Sequence, residues 1–176
     1  MALRQDQARD IEACIPYLRR YARVLTGDVH GADDLVQDCL ERAIRRIDQF
    51  QPGTNLRAWL FTILHNVRCD QHRRSVRRGP EIPLEEGPDR AWTPPDQMDD
   101  LYLQDFKRAF ARLSEPHRQV LLLTGVEGLN YEEAAGVLGV EVGTVKSRVF
   151  RAREQLRREQ EALGRPVPRT RWQAAA

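Results

Sequence analysis

Tyr131-Glu-Glu-Ala-Ala-Gly-Val-Leu-Gly-Val-Glu-Val-Gly-Thr-Val-Lys-Ser-Arg-Val-Phe150 decides the fold. Counted from Tyr131, the fifth residue is Ala135, the ninth Gly139 and the fifteenth Val145. Two closely crossing helices need a small side chain at the fifth place. The tight turn between them needs the backbone freedom of glycine at the ninth. An aliphatic group at the fifteenth plugs the crossing from the second helix. That register is a helix-turn-helix of the DNA-reading kind. Asn130 and Glu133 stand at capping-box spacing before the first helix, and Gly139 is placed to end it.

The second helix of the motif is predicted from about Val142 to Glu161. Val142, Val145, Val149, Ala152 and Leu156 step by 3, 4, 3 and 4 and face inward. Lys146, Ser147, Phe150, Arg151 and Glu154 turn outward, with Thr144 and Arg148 at the flanks. Serine and threonine can bond groove edges or phosphates, and arginine and lysine can grip guanine edges or phosphates. An exposed phenylalanine in that row needs a partner or a thymine methyl to pack on. The bland alternative is a helical hairpin with a solvated basic face.

Upstream of the motif the periodicity stays helical. Ile11, Ile15, Leu18, Ala22 and Leu25 mark one face of a first helix, kinked or restarted at Pro16. Asp28 is placed to cap a second, with Val36, Leu40, Ala43, Ile44 and Ile47 on one face up to about Gln49. Phe50–Asn55 reads as a loop through its Pro-Gly dipeptide. Thr54 is the candidate cap of a helix running to about Arg78, roughly 36 Å long. That helix begins with a buried stripe, Leu56, Trp59, Leu60, Ile63 and Val67, and ends rich in arginine. Leu103, Phe106, Phe110 and Leu113 form a further amphipathic helix, and another starts at Ser114 and runs to Gly125. No strand pattern of useful length occurs, so the fold class is all-α.

The 176 residues carry 28 basic and 26 acidic side chains, a net of +2 that hides blocks of charge. Residues 65–80 hold five arginines against Asp70, and residues 142–158 hold six basic groups against Glu154. Between them, residues 81–105 carry eight acids against Arg90, and five of the ten prolines fall in 79–97. Such a segment reads as a solvated interdomain linker. Its Trp92 either packs on one domain or meets a partner. The expected organisation is a helical domain at 1–79, a linker at 80–97, a second helical domain at 98–163 and a frayed tail at 164–176. Cys14, Cys39 and Cys69 are isolated, which argues against a disulfide framework and a structural zinc site and fits a reducing compartment. No run of about 18 apolar residues is present, so membrane insertion is not expected. The first ten residues lack the apolar core of a signal peptide, and a cytoplasmic location is expected.

In the first half, Asp33, Asp34, Gln37 and Asp38 cluster at a helix start. They either answer the helix dipole or form an acidic docking patch. His65, Cys69 and His72 lie at i, i+4 and i+7, a spacing that could ligate zinc, yet they sit among arginines that repel a cation. Asn66, Arg68, His72, Arg73 and Arg74, following Trp59 and Phe61, form either a nucleic-acid surface or a solvated helix end with both aromatics in the core. Phosphate-binding loops and nucleophile elbows are absent: there is no GxxxxGK and no GxSxG.

Taken together, Asp33-Asp-Leu-Val-Gln-Asp38, Leu56-Arg-Ala-Trp-Leu-Phe-Thr-Ile-Leu-His-Asn66, Tyr131-Glu-Glu-Ala-Ala135 and Gly143-Thr-Val-Lys-Ser-Arg-Val-Phe-Arg-Ala-Arg-Glu154 resemble a bacterial sigma factor of the extracytoplasmic-function (group IV) type, within the sigma-70 superfamily. The resemblance spans about Ile11 to Arg158 and implies sigma domains 2 and 4 on a flexible linker. It implies docking of Asp34, Leu35, Gln37 and Asp38 on the clamp helices of the largest RNA polymerase subunit. It places Asn55, Trp59, Asn66, Arg68, His72, Arg73 and Arg74 at the minus-10 element, which this part of the family binds and melts. Thr144, Lys146, Ser147, Arg148, Phe150 and Arg151 would read the minus-35 element, with a further contact to the polymerase flap on the second subunit. An anti-sigma factor commonly covers these surfaces, and no cofactor is implied. Gly128-Leu-Asn-Tyr-Glu-Glu-Ala-Ala135 is similar to general-stress-response members, whose inhibitor is released by a response regulator that mimics a sigma factor. The competing readings are a stand-alone helix-turn-helix regulator, a metal enzyme using His65, Cys69 and His72, and a mimic that only titrates an inhibitor. A lone regulator has no need of the docking acids, and a mimic has no need of the basic recognition row.

Overall fold

The computed structural model describes residues 4–78 and 100–162, and every regular element among them is helical. The linker with Trp92, and the tail, lie outside the described residues. Two compact units emerge, one built around α1 to α3 and one around α4, α5 and α7.

In the first unit, α1 (Gln5–Thr26), α2 (Val29–Arg45) and α3 (Leu56–Arg78) pack on one another. The core is Leu18, Tyr21, Ala22 and Leu25 of α1, Leu35, Val36, Cys39 and Ala43 of α2, and Leu60, Phe61, Leu64 and Val67 of α3. At its centre the Tyr21 and Phe61 rings meet edge to face, 5.2 Å apart. Helix α1 continues through Pro16 as a single element, which excludes a restart there. Pro16 and Glu12 both lie on the exposed face, so the carbonyl robbed of its helical partner is open to water. Gly27, at φ 83°, ends α1 in the left-handed conformation that glycine adopts freely. One residue later the Asp28 carboxylate caps α2, accepting the Gly31 N–H at 2.6 Å.

Three local expectations are corrected here. Helix α2 stops at Arg45, and Ile47–Gln49 form a separate 3-10 turn that buries Ile47. Ile44, expected on the core face, is 47% exposed. The buried stripe runs through Val36, Cys39 and Ala43, and Ile44 stands about 100° round the helix from Ala43. The cap of α3 is Asn55, not Thr54. The Asn55 Oδ1 accepts the Arg57 N–H at 3.1 Å and the Ala58 N–H at 3.2 Å. The Thr54 hydroxyl instead donates to the Gln51 carbonyl at 2.8 Å and closes the turn through Pro52-Gly53.

Residues 100–162 form α4 (Asp100–Ala111), α5 (Glu115–Leu121), a π-helical turn (Leu122–Val126), α6 (Tyr131–Leu138) and α7 (Val142–Ala162). Ala109, Leu113, Val120, Leu121, Leu123, Leu129, Ala134, Ala135, Val145, Val149 and Ala152 are buried. The reciprocal cap of α6 forms as expected: Asn130 N–H to Glu133 at 2.9 Å and Glu133 N–H to Asn130 Oδ1 at 2.8 Å. Gly139 takes φ 63° in the turn before α7. The far end of α7 is tied back to the end of α4, where the Arg112 guanidinium pairs with Glu159 and Gln155 donates to the Arg112 carbonyl.

Candidate nucleic-acid interface

On α7 the buried residues Val145, Val149 and Ala152 root the helix, which turns Lys146, Ser147, Phe150 and Arg151 to solvent. Thr144 and Arg148 are half-buried at the flanks, and so are Val142 and Leu156 at the two ends of the inward stripe. Phe150 is 68% exposed, a position that water disfavours and that a methyl-bearing or aromatic partner would relieve. The Ser147 hydroxyl donates to the Thr144 carbonyl at 3.0 Å, and its oxygen keeps the capacity to accept. Glu154, the one acid in residues 142–158, is held by Arg157 at 2.9 Å. That hydrogen bond keeps its carboxyl below the usual carboxylate range. Its charge is answered within the helix, so it does not oppose an anion at the row above.

Helix α3 divides the other predicted residues between faces. Asn66, Asp70, Arg73 and Arg77 follow one another at steps of 4, 3 and 4 and share a stripe. Arg74 borders that stripe, whereas Arg68 and His72 lie round the helix from it. Asn66, His72, Arg73 and Arg74 are exposed and Arg68 is half-buried. At the start of the helix, Trp59 is half-buried against Phe50, their rings tilted and 5.4 Å apart. Phe61 is wholly in the core, so of the two aromatics only Trp59 remains near a surface. Asn55 is exposed at the loop, with its carbonyl oxygen engaged as the cap.

On α2, Asp34, Gln37 and Asp38 are exposed and point outward together. Leu35 does not join them: it is fully buried, because it sits on the stripe that packs against α1 and α3. Its place in a docking patch is therefore corrected to a core residue that seats the patch. The exposed Glu41 and Ile44 continue the face of Asp34 and Gln37 at steps of 3, 4 and 3. Sequence reasoning missed this extension because an isoleucine beside a core alanine reads as core.

His65, Cys69 and His72 are not gathered into a three-ligand cluster. The His65 Nε2 meets the Cys69 Sγ at 3.5 Å, and its Nδ1 faces the buried Tyr21 hydroxyl at 3.5 Å. Among the described residues no three His, Cys, Asp or Glu side chains gather closely enough to hold a metal ion. Cys39 is buried and donates toward the Leu60 carbonyl, and burial pushes its thiol up to about 12. Burial also raises the Cys14 thiol, against a smaller opposing effect of Arg57.

Residues 11–65 match the family model described as the Sigma2 domain of PhyR, and residues 103–156 match sigma-70 region 4. The chain is 44% identical over 158 residues to the ECF RNA polymerase sigma factor EcfG of Rhodopseudomonas palustris, covering 89% of this chain and 86% of that protein. The chain belongs to the ECF sigma factor family. This ECF sigma factor is also similar in structure to the sigma factor RpoE of Bartonella quintana, solved in complex with the anti-sigma factor NepR. The TM-score is 0.74 at 38% identity, over 90% of this chain and 98% of that one. A PhyRSL–NepR complex from Sphingomonas sp. Fr1 matches at 27% identity and a TM-score of 0.64, over 92% of this chain and 93% of that one. As an ECF sigma factor the chain serves transcription initiation by RNA polymerase at promoter DNA and is not an enzyme. Among the described residues, no helix is long and apolar enough to cross a membrane.

Proposed function

We propose that the two units divide promoter reading between them. The α7 row of Thr144, Lys146, Ser147, Arg148, Phe150 and Arg151 reads the minus-35 element in the major groove. The α3 stripe, with Asn55 and Trp59 at its loop, engages and opens the minus-10 element. Strand opening costs a few kcal/mol per unstacked base, so an aromatic edge followed by cations is the chemistry required. Asp34, Gln37 and Asp38, continued by Glu41 and Ile44, dock on the clamp of the largest polymerase subunit. The second unit also touches the flap of the second subunit.

The observation that carries this reading is the presence of two surfaces of contrasting charge in one chain. An exposed acidic and polar face on α2 accompanies an exposed cationic row on α7. A mimic that only titrates an inhibitor would need the first and not the second. The likeness to a sigma factor crystallised with NepR supports an anti-sigma factor as the regulator. The likeness of the first unit to the PhyR sigma domain supports release of that inhibitor by a sigma-like competitor. The protein then works in the cytoplasm, where polymerase, DNA and inhibitor meet.

Replacing Asp34 and Gln37 together by alanine tests the docking surface. Both side chains are exposed, so the fold should survive. Affinity for core polymerase in a quantitative pull-down is expected to fall about fivefold, from two exposed polar contacts. Unchanged affinity would remove the docking assignment.

A further inference from the structure

Asp70 is the one acid in residues 65–77, and it lies in the middle of the stripe that the minus-10 reading turns toward DNA. A carboxylate there repels phosphate, so a surface built only for affinity would not contain it. Its two oxygens are both directed at arginines. Asp70 Oδ2 accepts from the Arg42 guanidinium at 3.0 Å, across from α2, and Oδ1 lies 4.0 Å from Arg73 on its own helix. Arg42 is only 31% exposed and Arg73 is 73% exposed, so the acid reaches one seated cation and one free-standing cation. The hydrogen bond from Arg42, helped by the charges of Arg73 and Arg74, holds the Asp70 carboxyl below its ordinary range, so it is ionised whenever the protein works. Next to it, Gln71 donates to Asp38 on α2 at 3.0 Å. Two adjacent residues of α3 thus bind the helix that carries the docking acids.

We propose that Asp70 is a specificity-determining counter-charge, an internal stand-in for phosphate that occupies Arg42 and restrains Arg73 until a promoter strand is already positioned. The inference rests on the reading of α3 as the DNA-facing helix and deepens it. Duplex of any sequence offers phosphate, and each cation that engages one releases counterions and adds affinity without selectivity. An acid within the row cancels part of that gain for every duplex. A strand held by the polymerase and by the loop at Phe50–Asn55 meets the same arginines at high effective concentration and displaces the carboxylate. Selectivity therefore rises because non-promoter binding falls more than promoter binding.

The test is fluorescence anisotropy of the full chain on a non-promoter duplex across about 50–200 mM salt, for Asp70→Asn and Arg42→Gln. Asp70→Asn keeps the shape and removes the charge. It is expected to bind roughly fivefold tighter near 0.1 M salt, with the slope of log affinity against log salt steeper by about one. Arg42→Gln removes a cation and leaves Asp70 less compensated, so it is expected to bind more weakly. Opposite signs support the counter-charge. A merely structural tie between α2 and α3 would move both variants the same way and would overturn it. Loss of preference at a single promoter base pair by Asp70→Asn, without any gain on the non-promoter duplex, would make Asp70 a base reader and also overturn it. Arg73→Ala separates the premise from the inference. It should weaken the polymerase–promoter complex, and if it leaves that complex unchanged the DNA-facing assignment of α3 itself fails.

Discussion

Phe61→Ala is expected to remove most of the stability of the first unit. The ring is fully buried where α1, α2 and α3 meet, and it packs edge-on against Tyr21. Truncating such a ring costs about 3–5 kcal/mol, from lost transfer energy and the cavity left behind. A unit of this size loses about 4–8 °C per kcal/mol, so a drop of the order of 15 °C is expected in its thermal transition. Circular dichroism melting of the full chain measures it. A loss below about 1 kcal/mol would mean that Phe61 does not sit where the core is drawn. The functional consequence follows from the same packing. Leu35 and Val36 seat the acids of α2 while Leu64 and Val67 seat the stripe of α3, so one core orients two surfaces.

Ser147→Ala with Arg151→Ala is expected to weaken minus-35 selection by about ten- to hundredfold. A good bidentate arginine–guanine pair contributes about 1–3 kcal/mol of discrimination, and the serine adds a smaller groove or phosphate contact. Both residues are exposed, and the helix beneath them is rooted by Val145, Val149 and Ala152, so the fold should be unaffected. Competition transcription on matched and mismatched minus-35 promoters reads the selectivity. Core polymerase affinity measured alongside is expected to stay constant. An equal loss in both assays would place these residues in general stability or polymerase binding, not in base reading.

The parts of the fold that were legible in the sequence share a physical cause. Ala135, Gly139 and Val145 carry the pattern of a tight helical turn, which tolerates few residue types, and Gly139 takes a positive φ while Ala135 and Val145 are buried. The Asn130–Glu133 box was equally readable, because both partners lie within one turn. Misreadings arose where neighbours in sequence differ in environment. Ile44 looked like its neighbour Ala43 but stands off the buried stripe. Leu35 travelled with Asp34 in a motif, yet it stands about 100° round the helix from it, on the buried stripe. Thr54 and Asn55 are both competent caps, and only the turn through Gly53 decides between them. Asp70 was invisible as anything but one acid among arginines. Its partner Arg42 lies 28 residues away on another helix, a separation that no local pattern reveals.

The central claim is that one chain presents separate surfaces to polymerase and to two promoter elements. Reconstituted run-off transcription with purified core polymerase on a promoter library tests it most directly. Adding this protein is expected to produce transcripts from a sequence-restricted set of start sites, sharing a minus-35 and a minus-10 element. Transcripts independent of the added protein, or start sites with no shared upstream sequence, would contradict it.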